Sequence, residues 1–181
     1  MRILIACEFS GRVRDAFIKK GHDAWSCDLE PCLGNHIQDD VLNHIYDNWD
    51  LMIAHPPCTH LCVSGARYFK YKEDIQEDAL EFVCDLMAAP IFKIAIENPI
   101  GILSTRIGKP TQIIQPWMFG ETECKATCLW LKNLPQLIPT NIRYKRTKII
   151  NNLSPNKNRS KLRSITFKGI AEAMAEQWDD D

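Results

Sequence analysis

The sequence predicts an α/β fold, a mostly parallel sheet with helices on both faces, and three observations predict it. Short apolar runs of strand length alternate with segments of helical periodicity along the chain. Two of those runs, Leu51 to Ala54 and Phe92 to Ile96, are apolar almost throughout, as strands buried on both faces are. Each then runs straight into a polar, proline-containing corner, His55-Pro56-Pro57-Cys58 in one case and Glu97-Asn98-Pro99 in the other. Proline cannot donate a ladder hydrogen bond, so these corners end their strands. The carboxyl ends of strands are where open α/β sheets place their chemistry. Cys58 is therefore the leading functional candidate, and Glu97 occupies the equivalent place on a second strand.

The elements follow in order. Arg2 to Cys7 reads as a first buried strand, left through the turn Glu8-Phe9-Ser10-Gly11. Arg12 to Lys20 carries Val13, Ala16 and Phe17 at helical spacing, with Gly21 as its stop. Asp23 to Cys27 is a second strand closed by Asp28, and this β–turn–α–β–acid order is that of a nucleotide-binding half of a doubly wound fold. A loop from Glu30 to Asn35 leads to a brief strand at His36-Ile37-Gln38, then Asp39-Asp40. Glu73 to Ala89 is the clearest helix, with Ile75, Ala79, Phe82, Val83, Leu86 and Met87 on one face and Pro90 at its end. Gln112 to Gln115 and Thr127 to Leu131 read as later strands joined through Pro116 to Gly120, and Thr166 to Trp178 as a closing amphipathic helix. Of the aromatic residues near these strands, Trp117, Phe119 and Trp130 are expected in the core.

With 181 residues, 45% hydrophobic and 25% charged, the chain is expected to form a single domain over 1–181. No apolar run reaches the roughly 20 residues that span a bilayer, and Met1 to Ala6 lacks a signal-peptide layout, so a cytoplasmic protein with no membrane partner is expected. In that compartment thiols stay reduced, and most of the eight cysteines, Cys7, Cys27, Cys84 and Cys128 among them, read as small buried hydrophobes. Net charge is −1, but Arg143, Lys145, Arg146, Lys148, Lys157, Arg159, Lys161 and Arg163 crowd into 141–163 without one acid. Such a segment is expected to be a flexible, substrate-facing one that follows a phosphate backbone or holds a nucleotide phosphate, although charge runs are as often plain solvated surface.

Taken in sequence, Phe9-x-Gly11, Asp28, Asp39-Asp40-Val41, Pro56-Pro57-Cys58 and Glu97-Asn98-Pro99 resemble the cytosine-C5 DNA methyltransferase family, in particular its short phage and prophage members. The match is densest around Cys58, where Asp50, Pro56, Pro57, Cys58 and Gly65 keep step with the family pattern. The resemblance implies a Rossmann-like, S-adenosylmethionine-dependent methyltransferase fold that methylates C5 of cytosine in DNA through a covalent bond from Cys58 to C6. Glu97 would hydrogen-bond the ring at N3 and the exocyclic amine. Cofactor binding would fall to Phe9, Gly11, Asp28, Asp40 and Pro56. Substrate contacts would come from Pro57, Ser64, Gly65, Asn98, Lys125, Thr127, Arg143, Lys145 and Arg146.

The chain departs from the family at Arg12, at His55, where the pattern has Gly, and at Thr59, where it has Gln. No large target-recognition region separates the late strand from the closing helix, so RNA or a free cytosine nucleotide is an alternative substrate for the same chemistry. Three rivals stand beside this reading. His55, Cys58, His60 and Cys62, with Cys124 and Cys128, offer metal-ligand types, but four ligands so crowded do not readily close a tetrahedron, and no metal is expected. Amino-group methyltransferases follow their Pro-Pro pair with a stacking aromatic, where this chain has Cys58. A non-catalytic nucleic-acid or nucleotide-binding decoy that keeps the fold is the third.

Overall fold

The computed structural model describes residues 1–63, 73–150, 154 and 159–179. The elements run β1 (Arg2–Ala6), α1 (Arg12–Lys19), β2 (Asp23–Cys27), β3 (His36–Ile37), β4 (Leu51–Ala54), α2 (Glu73–Ala88), β5 (Lys93–Pro99), α3 (Leu103–Arg106), β6 (Gln112–Ile114), β7 (Thr127–Lys132), α4 (Arg159–Ser164) and α5 (Lys168–Gln177). Seven strands form one sheet in the order β3-β2-β1-β4-β5-β7-β6. The pairings among β3, β2, β1, β4 and β5 are parallel, and β7 runs antiparallel to both β5 and β6. This is the Rossmann-like α/β fold that the sequence predicts.

Strand alternation divides the core into two layers, because successive side chains of a strand point to opposite faces. Ile3, Ile5, Leu51 and Ile53 pack with Val13 and Phe17 of α1 and Ile170 and Met174 of α5. Leu4, Met52, Ile94 and Ile96 pack on the other face with Leu80, Val83 and Leu86 of α2. The central strands are sealed on both sides, which is why they read as unbroken apolar runs.

Four readings need correction. The strand expected to stop at Ile96 continues through Glu97, Asn98 and Pro99, because β7 pairs antiparallel with it all the way to Thr127. In α2 the buried face is Gln76, Leu80, Val83 and Leu86, while Ile75 is exposed. Gln76 is drawn inward because its Nε2 donates to the His60 carbonyl at 2.8 Å, and this turns the helix away from the face its apolar residues outline. Cys84, read as a buried hydrophobe, is exposed. Among the aromatic residues Phe119 and Trp130 are buried, whereas Trp117 is only partly so. No helix among the described residues is long and apolar enough to cross a membrane.

Candidate active site

Chain order reverses between β1 and β4, the switch point at whose carboxyl end such sheets open a crevice. The β4 ladder extends one residue past Ala54, His55 N donating to the Ala6 carbonyl at 2.9 Å, and buried Pro56 ends it. The Cys58 carbonyl then accepts from Leu61 N at 3.1 Å and Cys62 N at 3.0 Å, closing one turn around the thiol. Ile102 N to the Leu61 carbonyl (2.8 Å) and Val63 N to the Ile100 carbonyl (3.1 Å) stitch this turn to the chain leaving β5. The approach needs Gly101, since a β-carbon there would collide with the Leu61 carbonyl. Ser64 and Gly65 lie outside the described residues.

The adjacent strand brings Glu97 and Asn98 to the same edge. Asn98 is buried and its Nδ2 donates to the Pro56 carbonyl at 2.9 Å, tying the two corners together. Its Oδ1 is buried with no partner among the described residues, an acceptor left over for a ligand. Pro57, next in the chain, is exposed. Glu97 Oε2 lies 2.6 Å from His55 Nδ1, with side-chain exposures of 11% and 8%. Burial opposes ionisation of Glu97, but the His55 hydrogen bond and charge, helped by Lys125, outweigh it and hold the carboxyl below its ordinary range. Burial likewise opposes a charged His55, yet the Glu97 hydrogen bond and charge, with Glu8 behind them, raise its pKa against a smaller opposing push from Lys125.

Cys58 is half-buried, and its thiol is pushed well above the usual range. The hydrogen bond with the Cys62 side chain is the main cause, followed by burial; the Glu97 charge adds to it and Lys125 opposes it. The resting site therefore keeps Cys58 as a thiol, and Lys125 is the group that favours its ionisation. Lys125 is itself positioned by donating to the Arg163 carbonyl of α4 at 2.8 Å. Thr127 sits in β7 opposite Pro99, and its hydroxyl donates to the Lys125 carbonyl at 3.3 Å. His55 is committed to Glu97, and among the described residues no group of three or more His, Cys, Asp and Glu side chains is placed to hold a metal ion.

A second group of titratable side chains gathers at the ends of β1 and β2. Cys7, in a left-handed conformation with φ 57°, has its thiol raised first by burial and then by the charges of Asp28, Cys27 and Asp40, so these groups share one neighbourhood. Asp28 Oδ1 accepts from Glu30 N at 2.9 Å, and Asp40 Oδ1 from Leu42 N at 3.0 Å. Two carboxylates in one neighbourhood have the acceptor chemistry that the hydroxyls and amine of an adenosine call for. The turn before α1 is different. Gly11 caps the helix at φ 67°, but buried Glu8 already accepts from Val13 N (2.7 Å) and Arg14 N (3.3 Å). The first amides of α1 are thus answered within the chain rather than left for an anion.

The basic segment divides in two. Residues 141–150 are held against 116–124: Arg143 Nε donates to the Gly120 carbonyl, Arg146 stacks 3.9 Å from the Trp117 ring centroid, and buried Glu123 accepts from Thr147 Oγ1, Ile149 N and Ile150 N. Lys145, Lys148 and Tyr144 point into solvent. The other part, α4, lies over the first turn, with Lys161 Nζ 4.7 Å from the Phe9 ring centroid and 3.0 Å from Glu30 Oε2. Sequence reasoning missed the roles of Glu8, Gln76, Gly101 and Glu123. It registered His55 only as a departure and a metal-ligand type, though its place directly before the Pro-Pro pair was a usable signal.

No family model matches the sequence, and no curated protein matches it. The fold has counterparts among solved structures. One is the crystal structure of a candidate DNA modification methyltransferase encoded within a prophage of E. coli, 13% identical with a TM-score of 0.50. The alignment covers 85% of this chain and 55% of that one, so the protein spans about half the length of its structural neighbour. The chain shares the Rossmann-like α/β architecture of a methyltransferase-type protein.

Proposed function

We propose that the protein is an S-adenosylmethionine-dependent cytosine-C5 methyltransferase acting on DNA, with Cys58 as nucleophile and Glu97 as the group that activates the base. The observation that carries this reading is the meeting of the two corners. Cys58 follows β4 and Glu97 lies in the carboxyl-terminal part of the parallel neighbour β5, and Asn98 and His55 bind the two corners to each other. Cytosine C5 is a weak nucleophile. A thiolate added at C6 makes it enamine-like, and a hydrogen bond at N3 stabilises the charge that arrives there. Asn98 Oδ1, buried and unpartnered among the described residues, is suited to accept from the exocyclic amine. Asp28 and Asp40 would hold the adenosine end of the cofactor, which when bound supplies the methyl group as an electrophile. Loss of the C5 proton then frees Cys58. A base in a duplex must first be flipped out, at a cost of a few kcal/mol.

The test is transfer of label from S-adenosylmethionine to duplex DNA, single-stranded DNA, tRNA and dCMP in parallel. We expect transfer to at least one, and its loss in Cys58→Ala and in Glu97→Gln. Transfer that survives Cys58→Ala sinks the reading. A second, non-catalytic reading draws on two observations, the Cys58 thiol held by Cys62 and the α1 amides already occupied by Glu8. Nucleic-acid binding without S-adenosylmethionine binding in calorimetry would select it.

A further inference from the structure

The chemistry above asks Glu97 for a hydrogen bond to N3, which a carboxyl group can donate only when it carries a proton, yet its surroundings favour the ionised form. That chemistry leaves His55 without a role, although it fills a position where the resemblance expects glycine. Its ring is more than nine-tenths buried, Nδ1 lies 2.6 Å from Glu97 Oε2, and Nε2 has no hydrogen-bond partner among the described residues. A buried imidazole half satisfied is costly for a merely structural role, which a small residue would serve.

We propose that His55 is the positioning residue and proton store of Glu97, holding the carboxylate toward the base and handing it the proton that Glu97 gives to ring N3 as Cys58 adds to C6. The proposal rests on the C5 reading. The pair begins as imidazolium and carboxylate. A proton moves from Nδ1 to Oε2, leaving a neutral imidazole protonated on Nε2 and a neutral carboxylic acid. The Cys58 sulfur, its thiol proton lost to water, forms the S–C6 bond with a lone pair. The C5=C6 pair becomes C4=C5, the C4=N3 pair moves onto N3, and N3 takes the carboxyl proton. The C4=C5 pair then bonds the methyl group as its bond to the donor sulfonium breaks, and the N3 pair re-forms C4=N3. Water takes the C5 proton, the C5–H pair re-forms C5=C6, and the S–C6 pair returns to sulfur. The product leaves its N3 proton with Glu97, and then with His55.

Three charged groups face His55 from the elements around it: Glu97 on β5, Glu8 in the turn after β1 and Lys125 ahead of β7. The two acids favour the protonated ring and Lys125 opposes it. Because the net effect raises the pKa of His55, the store stays filled above the ordinary histidine range and empties only on the alkaline side.

The test measures the rate at which Cys58 forms a covalent adduct with a 5-fluorocytosine oligonucleotide, and with 5-fluoro-dCMP, in the presence of S-adenosylmethionine. The range runs from about pH 6 to about pH 9, spanning histidine titration. In the wild type the rise from Cys58 ionisation should level off on the alkaline side as His55 empties. In His55→Asn the rate should be about 100-fold lower at neutral pH, the lower end of a general acid's contribution. The levelling should vanish there, leaving an uninterrupted rise from Cys58 ionisation. Added imidazole should restore a pH-dependent rate to His55→Gly. A wild-type rate that climbs steadily without levelling overturns the proposal whether or not the variants fold, as does a His55→Asn profile matching the wild type. No wild-type adduct with either probe sinks the C5 reading itself, and the proposal with it.

Discussion

His55 and Glu97 lean on each other for their charge, and the stability each shift contributes is lost in opposite directions of pH. The folded pKa of Glu97 is depressed, so its contribution is complete above the ordinary carboxylate value of about 4.3 and is lost as pH falls through the folded value. The folded pKa of His55 is raised, so its contribution is complete below about 6.5 and is lost as pH rises through the folded value. The pair therefore stabilises most between those limits. In urea titrations across pH, the wild-type midpoint should decline on both sides of that window. His44, raised by Asp47 and Asp39 against some burial, adds an alkaline decline of the same sign. The difference between wild type and His55→Asn isolates the buried pair, and a difference that does not change with pH would refute the coupling. At this scale the sequence displayed the chemistry-bearing residues but not their bonds. Cys58 and Glu97 were legible because each follows an apolar run. Gly101 was not, because its requirement comes from the carbonyl of Leu61, far back in the chain.

Helix α2 shows what periodicity resolves and what it leaves open. Its existence and bounds were plain from the 3.6-residue rhythm between Glu73 and Pro90, and the helix ends at Ala88. Its rotation was not, because one polar side chain, Gln76, has a carbonyl to meet beneath the Cys58 turn. Ile75, apolar by type, is 49% exposed, while Leu86 is fully buried. Ile75→Glu should thus change unfolding free energy by no more than about 0.5 kcal/mol, as surface substitutions do. Leu86→Ala should cost about 2–5 kcal/mol, since it opens a cavity under β4 and β5. Equal costs in chemical denaturation would mean that the helix faces the sheet as its apolar pattern alone suggests. The strand β5 was cut short in the sequence for a related reason. Glu97-Asn98-Pro99 has turn composition, and only the antiparallel partner β7 keeps it extended.

For the molecule as a whole, the strand order gathers Asp28 and Asp40, the acids proposed for the cofactor, and Cys58 and Glu97, the pair proposed to react, at the carboxyl ends of the parallel strands. The basic residues reach those ends from two directions. Lys161 and Lys125 are engaged within the fold, the first with Phe9 and Glu30 and the second with the Arg163 carbonyl. Arg143 and Arg146 are likewise taken up by the Gly120 carbonyl and the Trp117 ring. Lys145 and Lys148 instead extend into solvent, beside the exposed ring of Tyr144. With a polynucleotide substrate these two would be the ones to meet phosphates, and the pair gives a clean reading of what the substrate is. On a duplex, each phosphate no longer neutralised should flatten the plot of log affinity against log salt by about 0.9, and on a single strand by about 0.7. Lys145→Ala with Lys148→Ala should therefore reduce the slope by about 1.8 or about 1.4, with transfer to dCMP unchanged. An unchanged slope, with equal transfer to polymer and monomer, would remove the polynucleotide from the proposal and leave a nucleotide methyltransferase whose basic edge is plain solvated surface.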